Sequence, residues 1–254
     1  MTTDRKMEQV ARCLANSKNT VVVTGAGIST EAGIPDFRGR NGIYRQLGED
    51  RVMKIINIDT FHDDPRLFYE FYNQYFVFPP VEPSQAHYAL AEMEQEGLIK
   101  GIVTQNIDGL HEKAGSRRVV AVHGNSDRYI CTNRRCGQVY SQARVENQVA
   151  AIPTCVSCGS ILKPDVILFG EPIKSFTDAQ DMIMGARTLV VIGSSLTVYP
   201  LAGFVKAFST LYQDLIIINQ GPTHLDHAAL VKLDAPHTGE ALQEIIRRIK
   251  SKAY

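Results

Sequence analysis

Short apolar runs and amphipathic stretches alternate along this chain. The apolar runs lie at residues 20–23, 102–104, 119–122, 189–192 and 215–218. Runs of this kind are typical of strands that are buried on both faces, as in parallel sheets. Between them, the spacing of apolar residues predicts helices over residues 7–16, 67–78, 84–96, 177–186 and 239–250. The alternation predicts an α/β fold built on a doubly wound, Rossmann-like parallel sheet.

Two stretches depart from this alternation. Residues 36–50 are rich in Gly, Arg and polar side chains, and a loop of that length without structure of its own is usually functional or disordered. Residues 129–162 contain four of the five cysteines. We therefore predict a Rossmann-like domain of residues 1–37, 86–125 and 166–254. A smaller domain of residues 38–85 and 126–165 would carry the loop, an aromatic helix and the cysteines.

Polar or glycine-rich clusters follow several of the predicted strands. They lie at residues 25–29, 105–111, 123–125, 193–195 and 219–221. In open α/β sheets, ligands bind outside the carboxyl ends of the strands, at the point where the strand order reverses. We therefore expect these clusters to line one cleft.

The Gly25-Ala26-Gly27 turn after the first strand is a candidate phosphate loop. Glycine lets the backbone approach a pyrophosphate closely, and N–H groups at the start of a following helix point toward the anion. We expect Ser29 and Thr30 to cap that helix. Thr30 stands where the dehydrogenase fingerprint needs its third glycine, and turn-like residues 33–40 stand where that fingerprint continues toward a second strand. The turn predicts a nucleotide site without hydride transfer, although many α/β proteins carry such a turn and bind nothing there.

Composition sets the broad class of protein. Apolar residues make up 44% of the 254 residues and charged residues 21%, as in ordinary globular proteins. The 27 Lys and Arg residues balance the 27 Asp and Glu residues, so no net charge draws the chain to nucleic acid or to a membrane. The polar first residues and the lack of a membrane-length apolar run predict a soluble protein of the cytoplasm.

Four cysteines form two close pairs, each followed by glycine: Cys131 with Cys136, and Cys155 with Cys158. In a chain that we expect inside the cell, such pairs indicate a metal rather than disulfides. Four thiolates make a closed tetrahedral site, which is typical of structural zinc and leaves no open position for catalysis. The ion would hold together a segment too small to bury a core of its own. A zinc ribbon can also bind nucleic acid, but the arginines near these cysteines form no long basic stripe.

Three polar side chains at strand ends are candidates for chemistry. His123 follows an apolar strand and precedes a glycine, and imidazole is the side chain best suited to proton transfer near neutral pH. Asn106 and Asp108 stand two apart, so an extended backbone places them on one face, where they can bind an amide or a ribose. Taken alone, this pair is equally typical of a turn after a strand. We assign no chemical role to His62, His87, His224, His227 and His237.

Together these motifs resemble the ordered motif set of the sirtuins. The matching segments are 25–29, 33–38, 104–108, 123–125, the four paired cysteines, 169–171 and 193–196. Each motif is weakly specific alone, whereas the whole set in the right order is highly specific and covers nearly the whole chain. The resemblance implies NAD-dependent removal of acyl groups from lysine, with release of nicotinamide, free lysine and O-acyl-ADP-ribose. The short ends of the chain match a compact, prokaryote-like member of this family.

The resemblance also implies a role for each matching residue. The cofactor contacts would come from Gly25, Ala26, Gly27, Ile28, Asp36, Phe37, Arg38, Gln105, Asn106, Asp108, Gly193, Ser194, Ser195 and Asn219. His123 matches the general base, and Asn106 and Asp108 match residues beside the nicotinamide ribose and carboxamide. By the same resemblance, Phe37 shields the ribose once nicotinamide has left, and the loop that starts at Arg38 closes over the cofactor.

The acyl-lysine peptide is expected to bind as an added strand between the two domains. By resemblance, its contacts come from Ile107, Val166, Ile167, Phe169, Gly170 and Val198. Sirtuins that prefer succinyl or malonyl groups carry a Tyr-x-x-Arg pair, and this chain has Tyr72 and Tyr75 at those positions. No cation is therefore offered to a substrate carboxylate, which predicts a deacetylase.

Three other hypotheses stay open at this point. The enzyme could prefer longer neutral acyl chains. The same activation of NAD could serve a protein mono-ADP-ribosyltransferase with another nucleophile. A zinc-ribbon binding protein with a dormant nucleotide fold would explain the cysteines and the sheet, but the presence of Asn106, Asp108 and His123 together disfavours it.

Overall fold

The computed structural model describes residues 2–39, 42–77, 80–146, 152–211 and 213–251. Within these residues the backbone forms one six-stranded and one three-stranded sheet. The larger sheet contains β1 (Thr20–Thr24), β2 (Ile102–Thr104), β3 (Val119–Ala121), β7 (Thr188–Ile192), β8 (Asp214–Ile218) and β9 (Val231–Leu233). The smaller sheet contains β4 (Gly124–Cys131), β5 (Val139–Ser141) and β6 (Leu162–Val166). Arg40 and Asn41 of the predicted loop, Phe78 and Pro79 at the predicted end of the aromatic helix, and residues 147–151 of the cysteine segment lie outside the described residues.

The larger sheet is parallel throughout, with strand order β3-β2-β1-β7-β8-β9. The chain starts in the middle, builds outward to β3, and returns to build the other half from β7 to β9. The strand order therefore reverses between β1 and β7, where Thr24 lies beside Ile192. This arrangement confirms the predicted doubly wound sheet and places its ligand-binding crevice at the ends of β1 and β7.

The helices cover this sheet and build the region beside it. They are α1 (Thr3–Asn16), α2 (Ile43–Leu47), α3 (Glu49–Ile55), α4 (Ile58–Asp63), α5 (Pro65–Tyr75), α6 (Gln85–Gln95), α7 (Leu110–Lys113), α8 (Gln142–Glu146), α9 (Phe176–Met184), α10 (Leu201–Phe208) and α11 (Thr238–Ser251). Local sequence explains several helix starts. Asp64 caps α5 with its side chain and Pro65 occupies the first turn, while Ser84 and His87 form a capping box at α6.

Alternate strand residues face opposite sides of the larger sheet, and helices cover both sides. Val22 and Val190 belong to a core cluster that includes residues of α1, α6 and α11. Val21 and Val191 belong to a second cluster that includes residues of α9 and α10. Every residue of β1 is buried. Burial on both faces explains why these strands are apolar without alternation.

A third core cluster lies outside the larger sheet, in a region that we call the small module: α2 to α5, α8 and the three-stranded sheet. Aromatic rings form its centre. Phe61 meets Phe68 edge-on at 5.1 Å between ring centroids, and Phe68 stacks on Tyr72 at 5.5 Å. The hydroxyl of Tyr69 donates to the carbonyl of Leu162, which joins α5 to the small sheet. The aromatic residues of α5 therefore pack, as their spacing predicted.

The structure corrects the prediction of an irregular loop over residues 36–50. Helix α2 and the start of α3 lie within it. Ile43 and Tyr44 are buried in the third cluster, and this packing stabilises a helix that the polar composition of the segment did not predict. The sequence pattern also missed α10, whose apolar residues are not confined to one stripe, and β9, which is three residues long.

Candidate active site

The glycine turns after β1 and β7 touch each other where the strand order reverses. The N–H of Gly27 donates to the carbonyl of Gly193 at 2.9 Å. A Cβ added at Gly25 or Gly27 would lie 2.8 Å from that carbonyl oxygen. Gly193 has a φ of 59°, and a Cβ there would lie 2.5 Å from the backbone nitrogen of Ile28. The three positions admit no side chain without a shift, so they form a backbone cradle of the kind that a pyrophosphate can approach.

The backbone after Gly25 differs from the prediction. Ala26–Ile28 and Thr30–Ala32 are short 3₁₀ turns rather than an α-helix, and Ser29 makes no side-chain cap. Its hydroxyl donates instead to Asp108 Oδ2 at 2.7 Å. The hydroxyl of Thr30 donates to the carbonyl of Gly27 at 2.9 Å. The predicted helix caps were wrong because one hydroxyl has a partner across the cleft and the other bonds within the preceding turn.

Asn106 and Asp108 converge on Ser29. The side-chain amide of Asn106 donates to Ser29 Oγ at 3.0 Å, and that hydroxyl donates to Asp108. The backbone N–H of Asn106 donates to Thr104 Oγ1 at 3.1 Å. Asp108 Oδ1 also accepts from the N–H of Leu110 at 3.0 Å, which is the turn that formed the alternative interpretation. The structure thus brings both side chains to one spot, as their spacing predicted, and fixes them with hydrogen bonds.

Two buried histidines lie behind this cluster. Nδ1 of His87 accepts from the N–H of Ser84 at 3.1 Å, which assigns the ring proton to Nε2, 3.5 Å from Ser29 Oγ. Nε2 of His111 lies 2.9 Å from Thr24 Oγ1, and the two imidazole centroids are 4.8 Å apart. Burial lowers the pKa of His87 to about 4 and the pKa of His111 to about 3. Both rings are therefore neutral near pH 7.

His123 lies between the end of β3 and the start of β4. Its Nδ1 is 2.9 Å from the carbonyl oxygen of Gln105. Because a carbonyl only accepts, Nδ1 carries the proton and Nε2 keeps its lone pair. Burial lowers the pKa of His123 below its usual 6.5. The ring is thus a neutral base at pH 7. The next residue, Gly124, has a φ of 83°, and a Cβ there would lie 2.0 Å from the carbonyl oxygen of Asp165.

Gln105 links His123 to the turn after β7. Its side-chain oxygen accepts from the hydroxyl of Ser194 at 3.2 Å, and its side-chain nitrogen donates to the carbonyl of Val198 at 3.3 Å. Ser195 Oγ lies 2.9 Å from Thr197 Oγ1 in the same turn. Asn219 directly follows β8, so it stands at the neighbouring strand end, as predicted. Its side chain is 9% exposed.

Asp36, Phe37 and Arg38 lie against the small module. A carboxylate oxygen of Asp36 accepts from a backbone N–H of the following turn at 3.0 Å. The ring centroid of Phe37 is 5.2 Å from that of Tyr44. The Arg38 guanidinium lies 4.7 Å above the same tyrosine ring and forms an ion pair with Glu49. Phe37 and Arg38 are therefore held by residues of α2 and α3, and these helices lie in the same segment that was predicted to close over a cofactor.

The predicted peptide-binding residues 166–170 extend from the end of β6 toward the junction of α3 and α4. The N–H of Ile167 donates to the carbonyl of His123 at 2.8 Å. The N–H of Phe169 donates to the carbonyl of Ile56 at 3.0 Å. The segment therefore joins the backbone of His123 to the end of α3. The carbonyl of Ile107, another predicted contact, accepts from the hydroxyl of a β4 serine at 2.8 Å.

The four paired cysteines meet at one end of the small module. Their Sγ atoms all lie within 4.8 Å of one another. Cys131 Sγ is 3.5 Å from Cys158 Sγ, and Cys136 Sγ is 3.7 Å from Cys155 Sγ. Tetrahedral zinc with Zn–S bonds of about 2.3 Å needs sulfur atoms about 3.8 Å apart. Gly137 and Gly159, which follow the cysteine pairs, have φ values of 62° and 74°, so each pair turns back sharply. The donor set and its spacing fit a structural zinc ion held by Cys131, Cys136, Cys155 and Cys158.

Comparison with known proteins agrees with this geometry. Residues 25–200 match the model of the Sir2 family. The NAD-dependent protein deacetylase of Sulfurisphaera tokodaii is 41% identical over 226 residues, which cover 87% of this chain and 88% of that relative. This chain belongs to the Sir2 family. The NAD-dependent protein deacylase 2 of Archaeoglobus fulgidus is 40% identical over 250 residues, which cover 96% of each chain.

Solved structures place the same family on the same fold. A Sir2 structure with a deacetylated peptide and 3′-O-acetyl ADP ribose has a TM-score of 0.86 and 35% identity, and the match covers 96% of this chain and 97% of the other. A structure described as a Sir2 complex with NAD and a peptide has a TM-score of 0.85 and 34% identity, over 97% of this chain and 99% of the other. In the described part of this Sir2-family chain, no helix has the length and apolar character needed to cross a membrane.

A continuous series of contacts joins many of the predicted site residues of this Sir2-family chain. It runs from the glycine cradle through Ser194 and Gln105 to His123, and from there to Ile167. The cysteine cluster stands apart, in the small module. Sequence reasoning missed the partnership of Ser29 with Asp108, and it gave no part to His87 or His111. The one available signal was His87 three residues after Ser84, the spacing of a helix cap.

Proposed function

We propose that this chain removes acetyl groups from lysine side chains of proteins, with NAD as a consumed co-substrate. The acetyl group passes to ADP-ribose, nicotinamide is released, and one water molecule is consumed as the lysine amine leaves. The observation that carries the proposal is the neutral His123, whose Nε2 keeps its lone pair. Through Gln105, His123 is connected to Ser194 in the turn beside the glycine cradle. The activity in the names of the Sir2 relatives supports the same conclusion.

The site residues fall into groups according to the part of NAD that they would hold. When it is bound, NAD supplies a cationic nicotinamide leaving group, whose departure makes the ribose reactive toward the acyl oxygen. Gly25 to Ile28 and Gly193 would hold the pyrophosphate, because the missing side chains leave backbone N–H groups accessible. Ser194, Ser195 and Asn219 would hold the adenosine side. Asn106 and Asp108 would bind the nicotinamide ribose and carboxamide, already oriented by Ser29.

His123 would accept a ribose hydroxyl proton on Nε2. The carbonyl of Gln105 holds the ring through Nδ1–H, so the lone pair keeps one direction, and the same carbonyl stabilises the ring once it is charged. General-base assistance of this kind is worth about 10²- to 10⁴-fold in rate. Phe37 and Arg38, held by the small module, would exclude water from the reacting groups.

The acyl-lysine peptide would lie between residues 166–170 and residues 196–199. Along the first segment, the N–H groups of Ile167 and Phe169 and the carbonyls of Val166, Leu168 and Phe169 already have protein partners. Pairing with the peptide would therefore use the remaining backbone groups of this segment. Tyr75 packs on Phe71 with ring centroids 4.7 Å apart, and it offers no cation to an acidic acyl group. Acetyl and longer neutral acyl groups are therefore the expected substrates.

The test is mass spectrometry of an acetyl-lysine peptide incubated with the purified protein, with and without NAD. We expect loss of the acetyl group only with NAD, together with nicotinamide and O-acetyl-ADP-ribose. His123→Ala should lose about 10² or more in rate, whereas His224→Ala, at an exposed histidine, should not. A peptide that stays acetylated while ADP-ribose appears on protein would favour a mono-ADP-ribosyltransferase. No turnover of NAD with any acyl group would refute both activities.

The pH dependence provides a second test. The pKa of His123 is lowered by burial from 6.5, so more than half of the base is neutral at pH 6.5 and the protonated form predominates only at lower pH. We expect kcat/KM for the peptide to be level from neutral to mildly alkaline pH and to fall at acidic pH, with a midpoint below 6.5. A midpoint above 6.5, measured in a constant-ionic-strength buffer series, would contradict the assignment of His123 as a buried neutral base.

Three narrower statements remain sequence predictions within this proposal. They are a location in the cytoplasm, the absence of a nucleic-acid partner, and the boundaries of the two domains. The even balance of charges supports the second. The separate third core cluster of the small module supports the last.

A further inference from the structure

A partly buried ion pair braces the segment that follows β6. Lys163 Nζ lies 2.8 Å from Glu171 Oε2, and the two side chains are 16% and 22% exposed. The same ammonium group donates to the carbonyls of Val166 at 2.7 Å and of Pro164 at 3.3 Å. A lysine ammonium has three N–H donors, so these three acceptors use all of them. Lys163 is thereby held in one place, unlike a lysine in an exposed surface pair.

Glu171 closes the turn that ends this segment. Its Oε2 also accepts from the N–H of Leu168 at 2.9 Å, and its own N–H donates back to the carbonyl of Leu168 at 3.0 Å. Gly170, at the third position of the turn, has a φ of 89°, as a type II turn requires. Backbone and carboxylate therefore close the same turn, and Lys163 ties that carboxylate to the preceding strand.

The two edges of the segment have different partners. Val166 and Leu168 bond to the ion pair through their backbone groups. The N–H groups of Ile167 and Phe169 donate the other way, to carbonyls of His123 and of the small module. This alternation is that of an extended chain. On the first edge, the ion pair thus supplies the hydrogen bonds that a neighbouring strand would supply in a sheet.

We propose that Lys163 and Glu171 are positioning residues for the acyl-lysine peptide, acting through the turn that carries Phe169 and Gly170. The inference rests on the proposed function, which assigns peptide contacts to that turn. A peptide that adds as a strand gains affinity from backbone groups that are already in place when it arrives. The pyrophosphate cradle is built from other turns. Loss of the ion pair should therefore weaken peptide binding and spare NAD binding.

Two substitutions separate the charge from the geometry. Lys163→Met removes the ammonium donors and keeps most of the apolar length of the side chain. Glu171→Gln keeps an oxygen that can accept from the N–H of Leu168 and removes the charge. The KM for an acetyl-lysine peptide and the KM for NAD are measured separately, and the Kd of a fluorescent acetyl-lysine peptide is measured by anisotropy.

We expect Lys163→Met to raise the peptide KM and Kd about tenfold or more, the usual worth of a hydrogen bond to a charged group. The NAD KM and kcat should stay within about twofold, which is the signature of lost binding that is equal in the ground state and the transition state. Lys163→Arg should restore most of the peptide affinity. The double variant should cost no more than Lys163→Met alone, because both changes remove the same pair.

Lys174→Met is the matched control. Lys174 also pairs with a nearby carboxylate, that of Asp165, but it is 73% exposed, and its loss should leave both KM values unchanged. Thermal stability and zinc content check that each variant is folded. If Lys163→Met does not fold, Glu171→Gln decides the question with the same measurements.

Two results would overturn the inference while leaving the proposed function intact. One is an equal rise of both KM values, which indicates a general structural role. The other is an unchanged peptide Kd in the folded variants. A wild-type chain that never deacetylates the peptide would instead refute the proposed function. In that case, a peptide Kd that Lys163→Met still weakens would support the ion pair as part of a peptide-binding site.

Discussion

The larger sheet and the small module are stabilised in different ways. Strands of the larger sheet are buried on both faces, between two separate clusters of aliphatic side chains. The small module has one cluster, centred on aromatic rings, and its far end is held by four cysteines. A sheet that is covered on both faces removes enough apolar surface from water to stabilise its fold. The short cysteine segment buries less apolar surface and needs a bound metal to stabilise its fold. One chain therefore contains both solutions.

The candidate site contains residues from the larger sheet and residues that pack on the small module. The larger sheet supplies the glycine cradle, Asn106, Asp108 and His123 from the ends of rigid strands. The small module supplies Phe37 and Arg38 from the segment packed against its helices. In the proposed function, the groups that hold one geometry thus come from the larger sheet, and Phe37 and Arg38, which are proposed to cover the site, pack on the small module.

Removal of a zinc ligand should give the largest difference between the two regions. Cys155 is 1% exposed, and Cys155→Ser should abolish zinc binding, whose free energy is about 10 kcal/mol or more for structural sites. We expect loss of bound zinc by elemental analysis, loss of near-ultraviolet circular dichroism from the aromatic cluster, and loss of deacetylation. Cys13→Ser, at a cysteine in α1 away from the cluster, should retain all three. A zinc-free variant with full activity would contradict this division.

Acid should reduce stability through the histidines buried beside the larger sheet. The pKa of His111 is about 3 in the folded chain, against about 6.5 when unfolded. Between those values the unfolded chain binds a proton that the folded chain does not, so the free energy of unfolding falls as the pH drops. Each unit of pKa difference is worth about 1.4 kcal/mol, so the loss reaches a few kcal/mol near pH 4.

The measurement compares urea unfolding of the wild type and of His111→Gln from pH 7 to pH 4. The variant lacks this titrating group, so its stability should fall less steeply with acid. Parallel slopes for His111→Gln and the wild type would show that His111 takes up its proton in the folded chain as easily as in the unfolded one.

How much the sequence predicts depends on whether the determining contact is local. The strands β1, β7 and β8 were predicted to within a residue, because burial on both faces leaves an apolar run in the sequence itself. The cysteine pairs were equally clear, since their spacing is a local property. The cap predicted for Ser29 was wrong because its actual partner, Asp108, is 79 positions away. Helix α2 was missed because Ile43 and Tyr44 gain their order from packing on the small module.

A methyl group in the glycine cradle should weaken the sheet side of the site without affecting the small module. Gly27→Ala would place a Cβ 2.8 Å from the backbone of Gly193, and relief of such a clash costs about 1–3 kcal/mol. We expect a higher KM for NAD and an unchanged zinc content. Gly33→Ala is the control for steric contact, because a Cβ there meets nothing within 4 Å and the only cost is backbone strain at a φ of 91°. Equal changes in the KM for NAD would show that steric exclusion at the cradle is unimportant.

The smallest expected effect compares two glycines with nearly the same backbone in the two regions. Gly159 of a cysteine turn has a φ of 74°, Gly97 between α6 and β2 has a φ of 76°, and a Cβ at either position meets nothing within 4 Å. Each change to Ala should therefore cost only the strain of the left-handed backbone, about 1 kcal/mol. Both variants should lower Tm by a few degrees.

Because the Gly159 turn presents Cys155 and Cys158, Gly159→Ala should also release zinc faster to a chelator, whereas Gly97→Ala should not. Equal zinc release by the two variants would mean that backbone strain at position 159 does not reach the zinc ligands.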